Sequence, residues 1–380
     1  MKIGIMTFWW SNDNYGQILQ CYALQKYLRN AGHDAYLIRY DMRNDCVKPA
    51  TPVWKKLLKV FNPIKLFGYA LNKIRTSVIV QEKKKNDKRN FDAFRNKHIM
   101  QSEQTYYSYD ELKKNPPEAD LYIAGSDQIW NPDLLPSIET QAKAYFLDFG
   151  KPSVKRISYA ASFCKENMDN EFVNIIAPLL QKFDYVSVRE KSGLNVCKHC
   201  GINDAEWVPD PTMLLDADIY RGLYKDEPLK KPNKPYCFFY FLSNECDFLV
   251  KTLYDWAEKK KIEVLYVTVN LRIDKYEKTY ASISEWLYLL EHAEYVITNS
   301  YHGSVFSLLF EKKFGVIPLS KNCADMNDRF NSLFERFQIE KRFLDSNFSV
   351  LDKEIDWNSV SDAFKRIKSD CKLLDLERKR

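Results

Sequence analysis

Histidine is scarce in this chain, with five copies in 380 residues, so chemistry that runs on imidazole has few places to reside. No stretch approaches the roughly 18 uncharged apolar residues that a bilayer-spanning helix needs. The first residues, Met-Lys-Ile-Gly-Ile-Met-Thr-Phe, lack the cationic start, apolar centre and small-residue cleavage site of a secretion leader. A cytoplasmic location is therefore expected. A large excess of one charge is missing as well. The 57 Lys and Arg against 51 Asp and Glu leave +6, too little and too diffuse to mark a nucleic-acid binder. The nine cysteines are odd in number and scattered from Cys21 to Cys371, as buried reduced thiols would be rather than a disulfide framework. One close pair occurs, C-K-H-C at 197–200, and no second pair stands at a spacing that would complete a tetrahedral zinc site. There is no internal repeat and no low-complexity tract.

What is present is an ordinary soluble composition, 45% hydrophobic and 28% charged, in a chain longer than the roughly 250–300 residues at which a single core stops growing. Strand-like and helix-like runs alternate. Residues 2–8 read as a buried strand. The loop W-S-N-D-N-Y-G follows, then a helix with Cys21, Leu24 and Leu28 on one face, closed by Gly32, and then the strand A-Y-L-I-R-Y. This order is that of a parallel βαβ unit. Further strands are expected at 120–124, 155–161 and 184–189. After the two prolines of V-P-D-P-T the rhythm restarts, with strands at 235–242, 263–269, 295–298 and 314–318 and helices at 245–260, about 283–292 and from about 302. The expected fold is α/β, with two doubly wound Rossmann-like domains facing a cleft: 1–210 with a basic helical insert at about 50–100, 211–345, and a charged helical tail at 346–380. Folds of this kind bind ligands outside the carboxyl ends of their strands. The insert carries Trp54, Leu57, Leu58 and Phe61 at helical spacing beside E-K-K-K-N-D-K-R. It reads either as a pair of helices with solvated charges or as a basic surface for anionic lipid.

Four turns can carry chemistry. In T-N-S-Y-H-G-S, residues 298–304, a strand gives way to a helix. Its first amides, with Ser300, Tyr301, Gly303 and Ser304, would form an anion site beside the titratable proton of His302. The alternative is helix capping by Asn299 or Ser300. In S-N-D-N-Y-G-Q, Asp13, Asn14, Gly16 and Gln17 offer hydrogen bonds suited to sugar hydroxyls, or else an Asx turn with an N-cap. In A-G-S-D-Q-I-W-N, Ser126, Asp127 and Gln128 stand at a strand end with Trp130, polar groups beside an aromatic ring as a pyranose requires, or else a turn with a buried tryptophan. In V-S-V-R-E, Arg189 ends a strand where its fork can grip a phosphate or carboxylate, or else forms a charge cluster with Glu190. Arg329, in M-N-D-R-F, is a further anion candidate. Asp210, between two prolines, reads as an inter-domain turn residue.

Taken together, N-Y-G-Q-I-L-Q-C-Y-A-L, A-G-S-D-Q-I-W-N, I-S-Y-A-A-S-F, V-S-V-R-E, D-P-T-M-L-L and T-N-S-Y-H-G-S, in this order, resemble the polysaccharide pyruvyl transferase family over most of residues 1–345. The resemblance implies a glycosyltransferase-B-like fold and transfer of the carboxyethylidene group of phosphoenolpyruvate to a sugar of a polysaccharide or lipid-linked oligosaccharide. The product would be a pyruvate ketal, with release of phosphate and no cofactor. It implies that His302 is catalytic and that Arg189 binds the donor. Better-known members carry an arginine–leucine–histidine triplet where this chain has Ser300, Tyr301 and His302, so Arg329 or the helix amides would supply the missing cation. Asp13 or Asp127 would orient or deprotonate the acceptor. A lipid-linked acceptor would bring the 53–100 surface to the inner leaflet of a membrane. The other readings are a nucleotide-sugar glycosyltransferase on the same scaffold and a carbohydrate-binding protein without enzymatic activity.

Overall fold

The computed structural model describes residues 1–42, 87–135, 137–165, 167–242, 247–269, 272, 274–319, 327–371 and 373. The amphipathic pattern from Trp54 to Phe61, and with it the lipid-surface reading of the insert, lies outside the described residues. The first half comprises β1 (Lys2–Met6), α1 (Tyr15–Asn30), β2 (Asp34–Tyr40), α2 (Phe91–His98), β3 (Gln101–Tyr106), α3 (Tyr109–Lys114), β4 (Leu121–Ala124), α4 (Ile138–Tyr145) and β5 (Lys155–Ser158). There follow α5 (Asn170–Leu180), β6 (Ser187–Val188), α6 (Gly193–His199), β7 (Glu206–Trp207) and α7 (Ala217–Arg221). The second half comprises β8 (Tyr236–Phe241), α8 (Asp247–Lys260), β9 (Glu263–Thr268), α9 (Ile283–Glu291), β10 (Tyr295–Thr298), α10 (Tyr301–Leu309), β11 (Phe314–Val316), α11 (Asp328–Phe337) and the tail helix α12 (Trp357–Ser369).

Every described strand pair is parallel. Strands with helices on both faces must be apolar on both, and the Tyr-Cys-Phe-Phe-Tyr-Phe run of β8 is buried at each position. The first sheet has the order β3-β2-β1-β4-β5 and the second β11-β10-β8-β9. Each order reverses once, between β1 and β4 in the first sheet and between β8 and β10 in the second. Such a reversal parts the connections above the sheet and opens a crevice at the carboxyl ends of the two strands. The architecture is two Rossmann-like sheets whose crevices face one another.

Helix α1 joins the halves. Asn14 caps it, its side chain accepting from Gln17 N at 3.3 Å. Residues 15–25 are buried throughout. Tyr15 stacks on Trp286 with ring centroids 5.3 Å apart, and its hydroxyl donates to Ala281 O at 2.6 Å. The tail is more than a charged cover. Val360, Ala363, Phe364 and Ile367 of α12 are buried, and Phe364 packs on Phe337. Two basic residues of the 53–100 stretch also depart from the solvated-charge reading. Arg89 is buried between the rings of Tyr15 and Tyr280. Arg95, also buried, donates to Ser11 O at 2.7 Å, Trp9 O at 3.2 Å and Asn12 Oδ1 at 2.7 Å. With that fork Arg95 fixes the loop after β1.

Candidate active site

A cleft of about 430 Å³ opens between the two reversal points. Phe8, Trp10, Ser11, Asp13, Asn14 and Gln17 line it from the loop after β1, and Gln128 from the loop after β4. From the other sheet come Leu242 after β8, Val269 after β9, Asn299 after β10 and Leu319 after β11, with Arg329 at the start of α11. Asn299 ties its own reversal point together, its Oδ1 accepting from Leu242 N at 2.7 Å.

His302, 6% exposed, does not itself line this cleft; it is buried against α1, beside the lining residues Asn14 and Gln17. Its ring lies against Gly16: a Cβ at that position would sit 2.2 Å from His302 Nδ1. The glycine is what lets the imidazole approach the first turn of α1, between the cleft residues Asn14 and Gln17. On its other side His302 Nε2 lies 3.3 Å from Asp210 Oδ2. Because the Asp210 carboxylate accepts, Nε2 carries the proton in this bond, which fixes the tautomer and leaves Nδ1 on the Gly16 side. Gly16→Ala is expected to push the ring out of this position and lower turnover about 100-fold, as a misplacement of about 1 Å does. A steady-state turnover assay checks this, with circular dichroism to confirm the fold.

Asp210 is the site residue that the sequence marked only as a turn residue. It is fully buried. Oδ1 accepts from Thr212 N at 3.0 Å and Thr212 Oγ1 at 2.7 Å. Oδ2 accepts from Ser126 Oγ at 2.7 Å and meets Arg189 Nη1 at 3.4 Å besides His302. Burial alone would raise its pKa, but His302, Arg189 and Ser126 outweigh burial and hold the carboxyl well below its ordinary range. Asp210 is a turn residue, as expected, since it caps the short 3-10 turn at Pro211–Met213. The same turn aims it across the domain junction at the histidine of the other half.

Several expected roles are corrected by placement. Arg189, 3% exposed, spends its fork inside the protein: Nε and Nη2 each lie 3.3 Å from Glu190 Oε1, Nη1 reaches Asp210, and the guanidinium lies 4.6 Å over the Tyr301 ring. It does not line the cleft. Burial opposes its charge, but Glu190 and Asp210 outweigh burial and raise its pKa further. Trp130 has no exposed surface; it stacks on Phe146 at 4.7 Å and donates Nε1–H to Tyr145 O, which makes it a core residue and not a sugar platform. The α10 terminus is capped from within. Ser300 Oγ accepts from Gly303 N at 3.2 Å, Ser304 Oγ donates to Ser300 O, and Gly303 is pressed on Thr298. Tyr301 is buried under Arg189. The capping reading by Ser300 therefore accounts for this turn, from which Asn299 lines the cleft and His302 meets Asp210.

The remaining residues divide between the cleft and its support. Ser126 is buried and bonds Asp210, so it supports the site without facing a ligand. Asp127 holds a left-handed backbone, φ 83°, unusual for a residue with a side chain, and its Oδ1 accepts from Gln128 N at 2.9 Å. Asp13 Oδ1 accepts from Ser11 Oγ at 2.8 Å. Arg329, 7% exposed, has its Nε buried without a hydrogen-bond partner, and its Nη1 donates a long bond to Cys164 Sγ at 4.0 Å. No described carboxylate pairs with it. An unneutralised guanidinium beside a polar cleft is the kind of group that binds an anion.

Among the described residues no cluster of His, Cys, Asp or Glu could hold a metal ion, and no helix is long and apolar enough to cross a membrane. In C-K-H-C, burial pushes the Cys197 thiol up to about 12 and Cys200 up to about 11, away from the thiolate a metal would need.

Two Rossmann-like units closing on a cleft define the class: a glycosyltransferase-B-like α/β protein. Solved structures of this shape include a Listeria monocytogenes protein assigned as a UDP-N-acetylglucosamine 2-epimerase (10% identity, 100% of this chain and 98% of that chain, TM-score 0.50). Others are the S. aureus MnaA–UDP complex (11% identity, 100% and 99%, TM-score 0.47) and a Streptomyces glycosyltransferase complexed with thymidine diphosphate (11%, 97% and 95%, TM-score 0.43). Among curated proteins no relative matches significantly. The family model of polysaccharide pyruvyl transferase matches residues 14–321. The chain belongs to that family.

Proposed function

We propose that this chain transfers the carboxyethylidene group of phosphoenolpyruvate to two hydroxyls of a sugar in a polysaccharide or lipid-linked oligosaccharide. The observation that carries this reading is the buried Asp210–His302 pair, one residue from each half, packed against the α1 turn whose Asn14 and Gln17 line a cleft that Arg329 enters without a described carboxylate partner. The reaction joins C2 of the donor to two sugar oxygens and breaks its bond to the phosphate oxygen. Of the two hydroxyl protons displaced, one ends on the methylene carbon, which becomes methyl, and one leaves with phosphate. His302, held by Asp210, moves a proton at the donor. Arg329 binds the donor's phosphate or carboxylate. Asp13, Asn14, Gln17 and Gln128 hold the acceptor, and Asp127 or Asp13 orients its hydroxyl. Arg189 acts through Asp210 and Tyr301 and does not grip the donor itself. The reading places the protein in the cytoplasm, where phosphoenolpyruvate is made, with the 53–100 surface near the inner leaflet if the acceptor is lipid-linked.

The test is incubation with phosphoenolpyruvate and a panel of sugar acceptors, with mass spectrometry of the products and assay of phosphate. A pyruvate ketal is the expected product. Sugar transfer from UDP- or GDP-sugars, with no phosphate released from phosphoenolpyruvate, would favour the nucleotide-sugar alternative. Arg329→Gln is expected to raise KM for phosphoenolpyruvate about 10–100-fold, the scale of one or two lost charge-assisted bonds, with the acceptor KM little changed. An unchanged donor KM would remove Arg329 from the donor site.

A further inference from the structure

A second concavity, about 1190 Å³, lies on the second half away from His302. Its floor is the first part of β9, the edge strand of its sheet, at Glu263, Val264 and Leu265, and its walls come from α8 and α9. Tyr254, Tyr276, Tyr280 and Tyr288 line it. Tyr254 and Tyr276 stack at 4.0 Å, partly exposed. Five lysines and five carboxylates share the lining, and some neutralise one another directly, as Lys234 does Glu263 at 3.1 Å and Lys251 does Asp255 at 2.6 Å. Such a rim offers many hydrogen-bonding groups and little net charge. Partly exposed tyrosines present rings with a polar tip. The chemistry fits a neutral polyol chain, whose sugar rings have apolar faces and hydroxylated rims, better than a polyanion.

The groove and the cleft are also linked through β9 and through Arg89. Val264 of β9 lines the groove and Val269, just past the end of β9, lines the cleft, roughly 16 Å apart along the extended chain. Tyr280 lies 5.3 Å from the Arg89 guanidinium, whose Nη1 is 3.5 Å from the carbonyl of the cleft residue Asp13 and whose Nη2 bonds Thr268 O. The Arg89 guanidinium thus contacts one lining residue of each concavity. We infer that this groove binds the neutral sugar units of a polymeric acceptor that flank the unit being modified. The inference rests on the pyruvyl-transfer reading only for the acceptor's being a polymer.

The test uses a polysaccharide whose sugar unit the acceptor panel shows to be modified, stripped of any ketals with mild acid and cut into fractions of increasing length. Fluorescence titration without phosphoenolpyruvate measures binding, and phosphate release with it measures transfer. Affinity is expected to rise with length to a plateau. Tyr276→Ser, and separately Tyr254→Ser, should weaken the long fractions about tenfold, toward the value of the short ones, while Tyr276→Phe keeps wild-type affinity. KM for phosphoenolpyruvate and turnover of the shortest fraction should not move. Affinity should be nearly the same at low and high salt. Binding independent of length, equal losses on short and long fractions, or a steep salt dependence would each overturn the groove. Length-dependent binding with no transfer of any fraction would leave the groove standing and remove the pyruvyl-transfer reading instead.

Discussion

His302→Ala is expected to lower turnover by about 10²–10⁴-fold, the range that a positioned general acid–base contributes, and to leave the fold in place. The reason the fold should survive is the accounting at Asp210. Its Oδ2 keeps Ser126 Oγ at 2.7 Å and Arg189 Nη1 at 3.4 Å, and its Oδ1 keeps both bonds from Thr212, so the buried carboxylate is not stranded when the imidazole goes. The reason turnover should fall is that, among the described residues, no other titratable group shares the ring's position between Asp210 and the first turn of α1. Two measurements decide: phosphate release under saturating donor, and a thermal melt of the variant. A variant that melts like wild type and works within a few-fold of it would show that His302 only fills space between the halves.

Much of this arrangement could be read from residue order, for identifiable physical reasons. The apolar runs of β1, β8 and β10 are long enough and clean enough to mark buried parallel strands, and Asn14, Gly16 and His302 stand at strand ends where ligands gather. β3, by contrast, is Gln-Ser-Glu-Gln-Thr-Tyr. It sits at the edge of its sheet, where half-solvated positions accept polar residues, and it carries no hydrophobic period to read. Trp130 and Arg189 were legible as residue types but not as environments. An indole beside polar groups reads as a sugar platform until Phe146 and Phe163 are packed on it. An arginine at a strand end reads as a ligand clamp until Glu190 and Asp210 close on it. Arg329 shows the converse, a charge in an unremarkable helix start that matters because nothing in the described fold neutralises it. Asp210 was illegible for a different reason. Its partners are distant in sequence, with Ser126 and His302 84 and 92 positions away, and no local pattern reports a contact made across two domains.

That long-range role gives Asp210 the largest effect on stability. Asp210→Ala removes the acceptor shared by Ser126, Thr212, Arg189 and His302, and leaves the buried Arg189 guanidinium with Glu190 alone. Breaking a buried charge pair by deleting one partner costs about 3–5 kcal/mol, so the urea midpoint should fall accordingly; a loss under 1 kcal/mol would show that the network is not what joins the halves here. Asp210→Asn keeps the shape and part of the hydrogen bonding but not the charge. It should fold better than the alanine variant and still lose about 100-fold in turnover, because an amide no longer sets the imidazole's orientation and proton. The sign of the pH dependence follows from the lowered pKa of this carboxyl. A carboxylate favoured in the folded state contributes its full stabilisation above its unfolded pKa of about 3.9 and loses it as pH falls toward the folded value. Wild type should therefore lose stability between about pH 5 and pH 2 more steeply than Asp210→Asn. Parallel urea titrations across that range give the comparison, and identical slopes would mean that Asp210 is not ionised in the folded protein, which would also deprive His302 of the charge that orients its ring.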